Sequence, residues 1–369
     1  MSIKLKELAK LFLKLGSIAF GGPAAHIAMM ENEIVKKRKW MTSQHFLDLV
    51  GATNLIPGPN STEMTMHCGH ERAGWKGLIV AGVSFVLPAV TITMILAWLY
   101  AKYGEVPAVL PYIYGIQPAV IAIILAAVFR LAKKAIKSTE LIVLGVITLS
   151  ITLIGVHEII ALFSCGLAGL LLYTVRNRKN TLNSFSPFLL LHIALSLTSL
   201  KVFWIFLKVG AVLYGSGYVL FAFLDAELVN TGLLTRQQLM DAVAVGQFTP
   251  GPVLSTATFI GWQLNGFWGA LAATLGIFLP SFVFVALLNP LIPKLRKSPY
   301  ISAFMDAINI AAVAVIVAVL VEMSFEALVD WKTFMIASLS IIAVFIFKKL
   351  NSAFIVLGGA GLGYLLTLV

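Results

Sequence analysis

The stretch Phe12-Leu13-Lys14-Leu15-Gly16-Ser17-Ile18-Ala19-Phe20-Gly21-Gly22-Pro23 returns as Phe206-Leu207-Lys208-Val209-Gly210-Ala211-Val212-Leu213-Tyr214-Gly215-Ser216-Gly217. The chain is a tandem duplication, and the copies stay in step beyond this segment. Glu33 matches Glu227, Asp48 matches Asp241, Asn54 matches Gln247, and Pro57-Gly58-Pro59 matches Pro250-Gly251-Pro252. Gly74, Gly77 and Pro88 match Gly266, Gly269 and Pro280. An apolar chain whose halves carry glycine- and proline-broken segments at equivalent places points to a transporter with its site at the repeat interface.

Composition narrows the class. Of 369 residues, 59% are hydrophobic and 12% charged, outside the range of soluble domains. Apolar stretches long enough to cross roughly 30 Å of hydrocarbon recur throughout, which predicts a polytopic all-α membrane protein. The first apolar run lacks a small-residue cleavage site, so it is expected to be retained. Cys68 and Cys165 fit no metal-ligand spacing and read as buried small residues. No cofactor or metal is expected. The net charge of +11 lies in short loops between apolar spans, which argues for positive-inside bias and against nucleic acid.

Loop charge then predicts orientation. Lys36 to Lys39, Arg130, Lys133, Lys134, Lys137, Arg176, Arg178 and Lys179 mark cytoplasmic loops of the first half. The equivalent places in the second half carry Asp225, Glu227, Glu322, Glu326 and Asp330. Its other loops, with Lys294, Arg296, Lys297, Lys348 and Lys349, are basic where the first half, near Glu105 and His157-Glu158, is not. The halves are therefore expected to be inverted repeats. The expected parts are an N-terminal repeat over 1–180, a topology-inverting linker helix over 181–202 and a C-terminal repeat over 203–369. Segments near 8–30, 45–68, 203–224 and 237–261 read as helical hairpins that enter and return. About nine full crossings accompany them, near 77–101, 112–130, 139–155, 159–175, 186–200, 267–289, 302–321, 333–347 and 353–369. The competing arrangement lets every broken segment cross.

Two prolines around a glycine stop a helix and restart it, and the restarted helix points free N–H groups and a positive dipole end into the membrane. Exposed backbone there is tolerated only around a protein-lined or wet site, and an anion is its natural guest. Asn60, Ser61 and Thr62 follow Pro59; Ser255 and Thr256 follow Pro252; Asn54 and Gln247 stand three residues before each motif. With the breaks at Gly21, Gly22 and Gly215, these neutral donors are candidates to surround a tetrahedral oxyanion without fully neutralising it.

Charged candidates are fewer. Lys14 and Lys208 recur at one repeat position and read as anion attractors, against the alternative of lysines that snorkel to the interface. His26 is a weaker candidate, set against a histidine that satisfies broken backbone. Glu63 is the candidate coupling acid, set against a carboxylate paired with His67 one turn on. Glu33, Glu227, Asp48 and Asp241 read as helix caps or partners of loop bases, with Thr42 and Thr235 as N-caps. Arg72 reads either as an anchor or as lining the way in. Gly358-Gly359-Ala360-Gly361 is explained by close helix packing. An enzyme is not expected; its best nucleophile and base, Ser61 with His67, have nothing to orient them. An anion channel is a further alternative.

Phe20-Gly21-Gly22-Pro23-Ala24-Ala25-His26, Glu33 to Trp40, Pro57-Gly58-Pro59-Asn60-Ser61-Thr62, Leu87-Pro88, Gln247-Phe248-Thr249-Pro250-Gly251-Pro252 and Phe278-Leu279-Pro280-Ser281 together resemble the two-domain form of the chromate ion transporter family. The resemblance spans roughly residues 8–290. It implies chromate efflux across the cytoplasmic membrane, with sulfate as the similar dianion, driven by membrane potential or a proton gradient. The expected partners are the oxyanion, the bilayer and a second copy of the chain as a homodimer. Uptake or exchange of sulfate or another small anion is the alternative. Ser216-Gly217 lacks the proline of the first half and Leu234 replaces its Trp40, which loosens any equivalence of role between the halves.

Overall fold

The computed structural model describes residues 3–19, 22–53, 56–104, 109–176, 199–214, 219–288, 298–347 and 350–367. Among the described residues the chain is helical throughout, without strands. The linker-helix segment near 186–200 lies almost wholly outside the described residues, as do Arg178, Lys179, Glu105, Lys294, Arg296, Lys297, Lys348 and Lys349.

Each repeat opens with two broken hairpins. In the first, α1 (Ile3–Ile18) is followed by α2 (Gly22–Glu31), which runs into a π-helical turn at Asn32–Lys37. Next, α3 (Ser43–Thr53) leads through Pro57-Gly58-Pro59 into α4 (Asn60–Tyr103). Helix α4 is two helices, because Ala73 and Gly74 leave helical geometry and Gly74 has φ +60°. Its first part, Asn60 to Arg72, is only about 20 Å long at 1.5 Å per residue, and α3 is shorter. Neither crosses a roughly 30 Å hydrocarbon layer alone, so the Pro-Gly-Pro turn is expected part-way through it, as the hairpin reading requires. The turn at Gly74 lets the half-helix fold back on the long span, with Gly69 and Gly77 packed backbone to backbone.

The second repeat repeats these parts: α8 (Ser199–Val212), α9 (Val219–Leu224) with its π-helical turn at Asp225–Val229, α10 (Arg236–Phe248), a 3₁₀ turn at Val253–Ser255, and α11 (Thr256–Leu288). The break in α11 falls at Asn265-Gly266, and Gly261 packs on Gly269. The expected N-caps are present. Thr42 Oγ1 accepts from His45 N, and Thr235 closes a capping box with Gln238.

The spans follow as α5 (Leu110–Ala135), α6 (Thr139–Leu153) and α7 (Glu158–Arg176) in the first repeat. Their counterparts are α12 (Pro299–Ala327), α13 (Trp331–Ile346) and α14 (Ser352–Thr367). Among the described residues five helices are long and apolar enough to cross a membrane; α6, α13 and α14 are shorter apolar helices of 15 or 16 residues. Packing is exchanged between repeats through small residues. Gly169 of α7 meets Ala307 of α12, and in the mirror position Gly363 of α14 meets Gly115 of α5. Gly359 joins that contact through Ala119, while Gly358 and Gly361 face open space. Large side chains such as Trp75, Leu87, Trp98, Ile142, Trp268 and Leu275 stay exposed, as a lipid-facing surface requires. Cys68 and Cys165 are buried free thiols.

The ion pairs sort by predicted side. Lys137–Asp306 and Arg176–Glu140 tie bases assigned to the cytoplasmic face to neighbouring acids, while Arg72–Glu7 and His45–Glu71 link α1 and α3 to the end of the α4 half-helix. His157–Glu227, Lys208–Glu227 and Arg236 with Asp225, Glu322 and Glu326 join groups assigned to the other face. Among the described residues no ion pair joins a base assigned to the cytoplasmic face to an acid assigned to the other. Arg72 also stands over the Trp40 ring at 4.7 Å, and the second half has neither partner, with Leu234 and Leu264 at those places.

Candidate functional site

The two Pro-Gly-Pro turns meet the ends of the opposite repeat's first helix. Gly58 N–H donates to the Leu213 carbonyl at 2.7 Å, and Gly251 N–H donates to the Ala19 carbonyl at 2.9 Å. Ala19 and Leu213 are themselves repeat equivalents, so one pseudo-twofold contact is made twice. Both glycines have positive φ, +141° and +91°, a conformation that side chains resist. There is little room for a side chain either. A Cβ on Gly58 would strike the Glu63 carboxyl and the Ser281 hydroxyl, and one on Gly251 would crowd Ala89 and the Gly16 carbonyl. Ser281 and Ala89 follow the matched helix prolines, Pro280 and Pro88. The turns are thus clamped between α4 and α11 at the repeat interface.

From each turn a helix restarts. Thr62 and Glu63 N–H already donate to the Pro59 carbonyl, and Ser255 N–H to the Pro252 carbonyl. Helix geometry leaves the amides of Ser61, and of Val253 and Leu254, without an intrahelical acceptor. Pro57, Gly58, Pro59, Ser61, Thr62 and Glu63 are buried, as are Pro250, Gly251, Pro252, Ser255 and Thr256; Asn60 is half-buried. Thr93 of α4 reaches across to Ser255, with the two hydroxyls 3.3 Å apart. The mirror contact is missing because Val285 stands where Thr93 stands, and Thr62 Oγ1 is left buried without a hydrogen-bond partner. The same holds for His26 Nδ1, while the Glu63 carboxyl and the Ser281 hydroxyl have only each other. Native interiors rarely leave so many polar atoms short of partners in one region, and such a group of them marks a place built to take a polar guest.

Other candidates lie further out. His26 sits on α2, buried, its Nε2 3.0 Å from the same Ala19 carbonyl that receives Gly251. Its ring stands edge-on to Phe85. Gly22 opens α2, and Gln247 is buried at the end of α10, its carbonyl accepting from Ser352 Oγ at 3.4 Å. Gly21, Asn54 and Gly215 lie outside the described residues. The repeated lysines meet the repeated acids: Lys14 Nζ is 4.0 Å from Glu33, and Lys208 Nζ is 2.5 Å from Glu227. Lys14 is 60% exposed, whereas Lys208 is 25% exposed.

Both acids ride on the π-helical turns. Lys37 and then Arg38 hydrogen-bond Glu33 and hold its carboxyl below the usual carboxylate range. Burial alone would raise Glu227, yet His157 and Lys208 hold it low. These lysines therefore reach the site only as part of lysine–glutamate pairs. Sequence reasoning missed Ser281, Thr93, Tyr214 and the Ala19 and Leu213 carbonyls. The matched prolines just before Ser281 and Ala89 were the available signal.

Among the described residues no group of three His, Cys, Asp or Glu side chains is placed to hold a metal ion. The arrangement can offer backbone amides, two helix N-termini and hydroxyls to an anion from two repeats at once. The sequence profile of the chromate transporter family matches residues 6–170 and again 200–364, once per repeat. The chain is 31% identical to a chromate transport protein of Cupriavidus metallidurans over 97% of its own length and 92% of the relative's. It is 32% identical to a probable chromate transport protein of Synechococcus elongatus over 92% of the chain and 89% of the relative. A chromate transport protein of Pseudomonas aeruginosa is 29% identical over 86% of the chain and 80% of the relative. No solved structure matches. A duplicated, membrane-spanning helical chain that matches the same family once in each half belongs to the chromate transporter family.

Proposed function

We propose that the chain carries chromate out across the cytoplasmic membrane by alternating access, with the paired Pro-Gly-Pro turns as binding site and gate. The observation that carries this reading is the reciprocal contact of Gly58 with Leu213 and Gly251 with Ala19. It brings two restarted helices, both rich in neutral donors, to one interface between inverted repeats. Neutral donors hold a dianion without trapping it, and they suit any tetrahedral dianion, so sulfate is the expected competitor. Lys14 and Lys208 act from the two mouths, raising the local anion concentration while their glutamates limit the charge.

The membrane potential supplies the drive. Moving two negative charges outward through 100 mV yields about 4.6 kcal/mol, at about 2.3 kcal/mol per charge. At 1.4 kcal/mol per tenfold, that supports about a thousandfold gradient.

The test is uptake of labelled chromate and sulfate into inside-out proteoliposomes under an imposed potential. Wild type should show saturable chromate movement inhibited by sulfate. Thr62→Ala with Ser255→Ala should lower the apparent affinity at least about tenfold, since hydrogen bonds to a charged partner are worth about 1.5–3 kcal/mol. Folded wild-type protein that moves neither anion overturns the proposal, and conductance that does not saturate assigns a channel instead.

A further inference from the structure

The two halves of the site differ in one charge. Glu63, in the first turn of α4, has its counterpart in Thr256, whose hydroxyl is satisfied by the Val253 carbonyl at 2.7 Å. Side chains on a helix lean toward its N-terminus, and the Glu63 carboxyl leans back to Gly58, the turn from which its own helix starts. There it faces Ser281 of the opposite repeat. The side chain is fully buried, and among the described residues no cation pairs with it. The titratable groups around it are Tyr214, just past the end of α8, and His67 one turn along α4. An ionised carboxylate here has the Ser281 hydroxyl and the positive end of the α4 half-helix to answer it but no cation, which makes it a tethered anion sitting where the substrate anion would bind.

Two negative charges cannot both be held by one helix N-terminus in a medium of low dielectric. The second repeat, with a hydroxyl in this position, has no such conflict. We infer that Glu63 takes up a proton when the substrate anion binds at the α4 N-terminus, so that anion and proton occupy and cross the repeat interface together. The protonated carboxyl then becomes a donor, toward the anion or toward Ser281, and the loaded carrier moves one net negative charge in place of two. By linkage, anion binding raises proton affinity and a proton raises anion affinity by the same factor. The coupling has the sign of cotransport. A proton gradient directed into the cell therefore works against export through this site, while the membrane potential still drives it. This rests on the Pro-Gly-Pro turns being the anion site.

The experiment follows protons and chromate together in proteoliposomes at alkaline pH, where chromate itself carries no proton, with a trapped pH dye and a clamped potential. Wild type is expected to move one proton with each chromate and one net charge. Chromate moved by Glu63→Gln should carry no proton and two charges. Wild type that moves chromate without protons, or Glu63→Gln that moves them as wild type does, overturns the inference and leaves the site standing. Wild type that moves no chromate takes the site down first. Should Glu63→Gln fail to fold or transport, calorimetry of chromate and sulfate binding to wild type decides, run in buffers of different ionisation enthalpy. Proton uptake on binding of both anions supports the inference, and none overturns it.

Discussion

At Gly58 conformation and space both forbid a side chain, and at Gly251 the conformation resists one while the space is tight, so either alanine is penalised. Backbone strain of this kind costs about 1–3 kcal/mol. Gly58→Ala and Gly251→Ala should each lower thermal stability in detergent by an amount of that order and abolish saturable chromate movement. Gly361→Ala, in open space on α14, is the control and should do neither. A second prediction concerns His157, which stands 3.4 Å from Glu227 in a loop outside the spans. The Glu227 hydrogen bond raises the His157 pKa above 6.5, so its stabilising contribution is complete below pH 6.5 and is lost as pH rises through the raised value. Glu227 is shifted down from 4.5, so its share is complete above pH 4.5 and is lost as pH falls through the lowered value. The contact is therefore strongest in the mildly acidic range between. Melting in detergent should fall on going from mildly acidic to alkaline pH, and His157→Gln should flatten that fall. Half-exposed pairs contribute at most about 1 kcal/mol, so the shift will be small. The lysines show where legibility ends at this scale. Their recurrence with Glu33 and Glu227 was plain in the sequence, but the pairing was not, because each acid lies across a broken hairpin from its lysine.

At the scale of elements the sequence was more informative, since glycine and proline act locally. The Pro-Gly-Pro breaks and their hairpins follow from a missing donor and a steric clash, and the half-helices they bound are too short to cross. The π-helical turns at Asn32–Lys37 and Asp225–Val229 left no such mark, because a shifted hydrogen-bond ladder is set by tertiary contacts. The second turn, at Ala73-Gly74 and Asn265-Gly266, works only because Gly69 and Gly261 let each half-helix lie on its span. Gly261→Leu should push that half-helix away from Gly269 and Ala273, with overpacking costs of about 1–3 kcal/mol and a lower melting temperature. Gly358→Leu, facing open space, should leave melting unchanged. Equal effects of the two would show that the half-helix does not pack as described.

Over the whole molecule, loop charge and spatial proximity bear on topology by independent routes. Charge bias concerns which loops face the cytoplasm, whereas the ion pairs concern which loops are neighbours, and no pair joins the two assigned faces among the described residues. The sequence showed that the halves match, and its loop charge predicts that they are inverted. It did not show that Gly58 donates to Leu213 and Gly251 to Ala19, because internal similarity says which residues are equivalent and nothing about which repeat each one touches. Inversion makes a sharp prediction for single cysteines placed in a chain with Cys68 and Cys165 changed to serine. At Lys137 and Arg176 they should react with a membrane-impermeant thiol reagent only from the cytoplasmic side, and at His157 and Val329 only from the opposite side. The decisive positions are Lys76 and Phe267, which flank the matched turns at Gly74 and Gly266. If the Pro-Gly-Pro segments return to the side they entered from, a cysteine at Lys39 labels from the same side as one at Lys76, and one at Thr231 from the same side as one at Phe267. Segments that cross in full would place Lys76 opposite the Lys36 to Lys39 loop, and the two broken turns would no longer meet from opposite sides of a shared site.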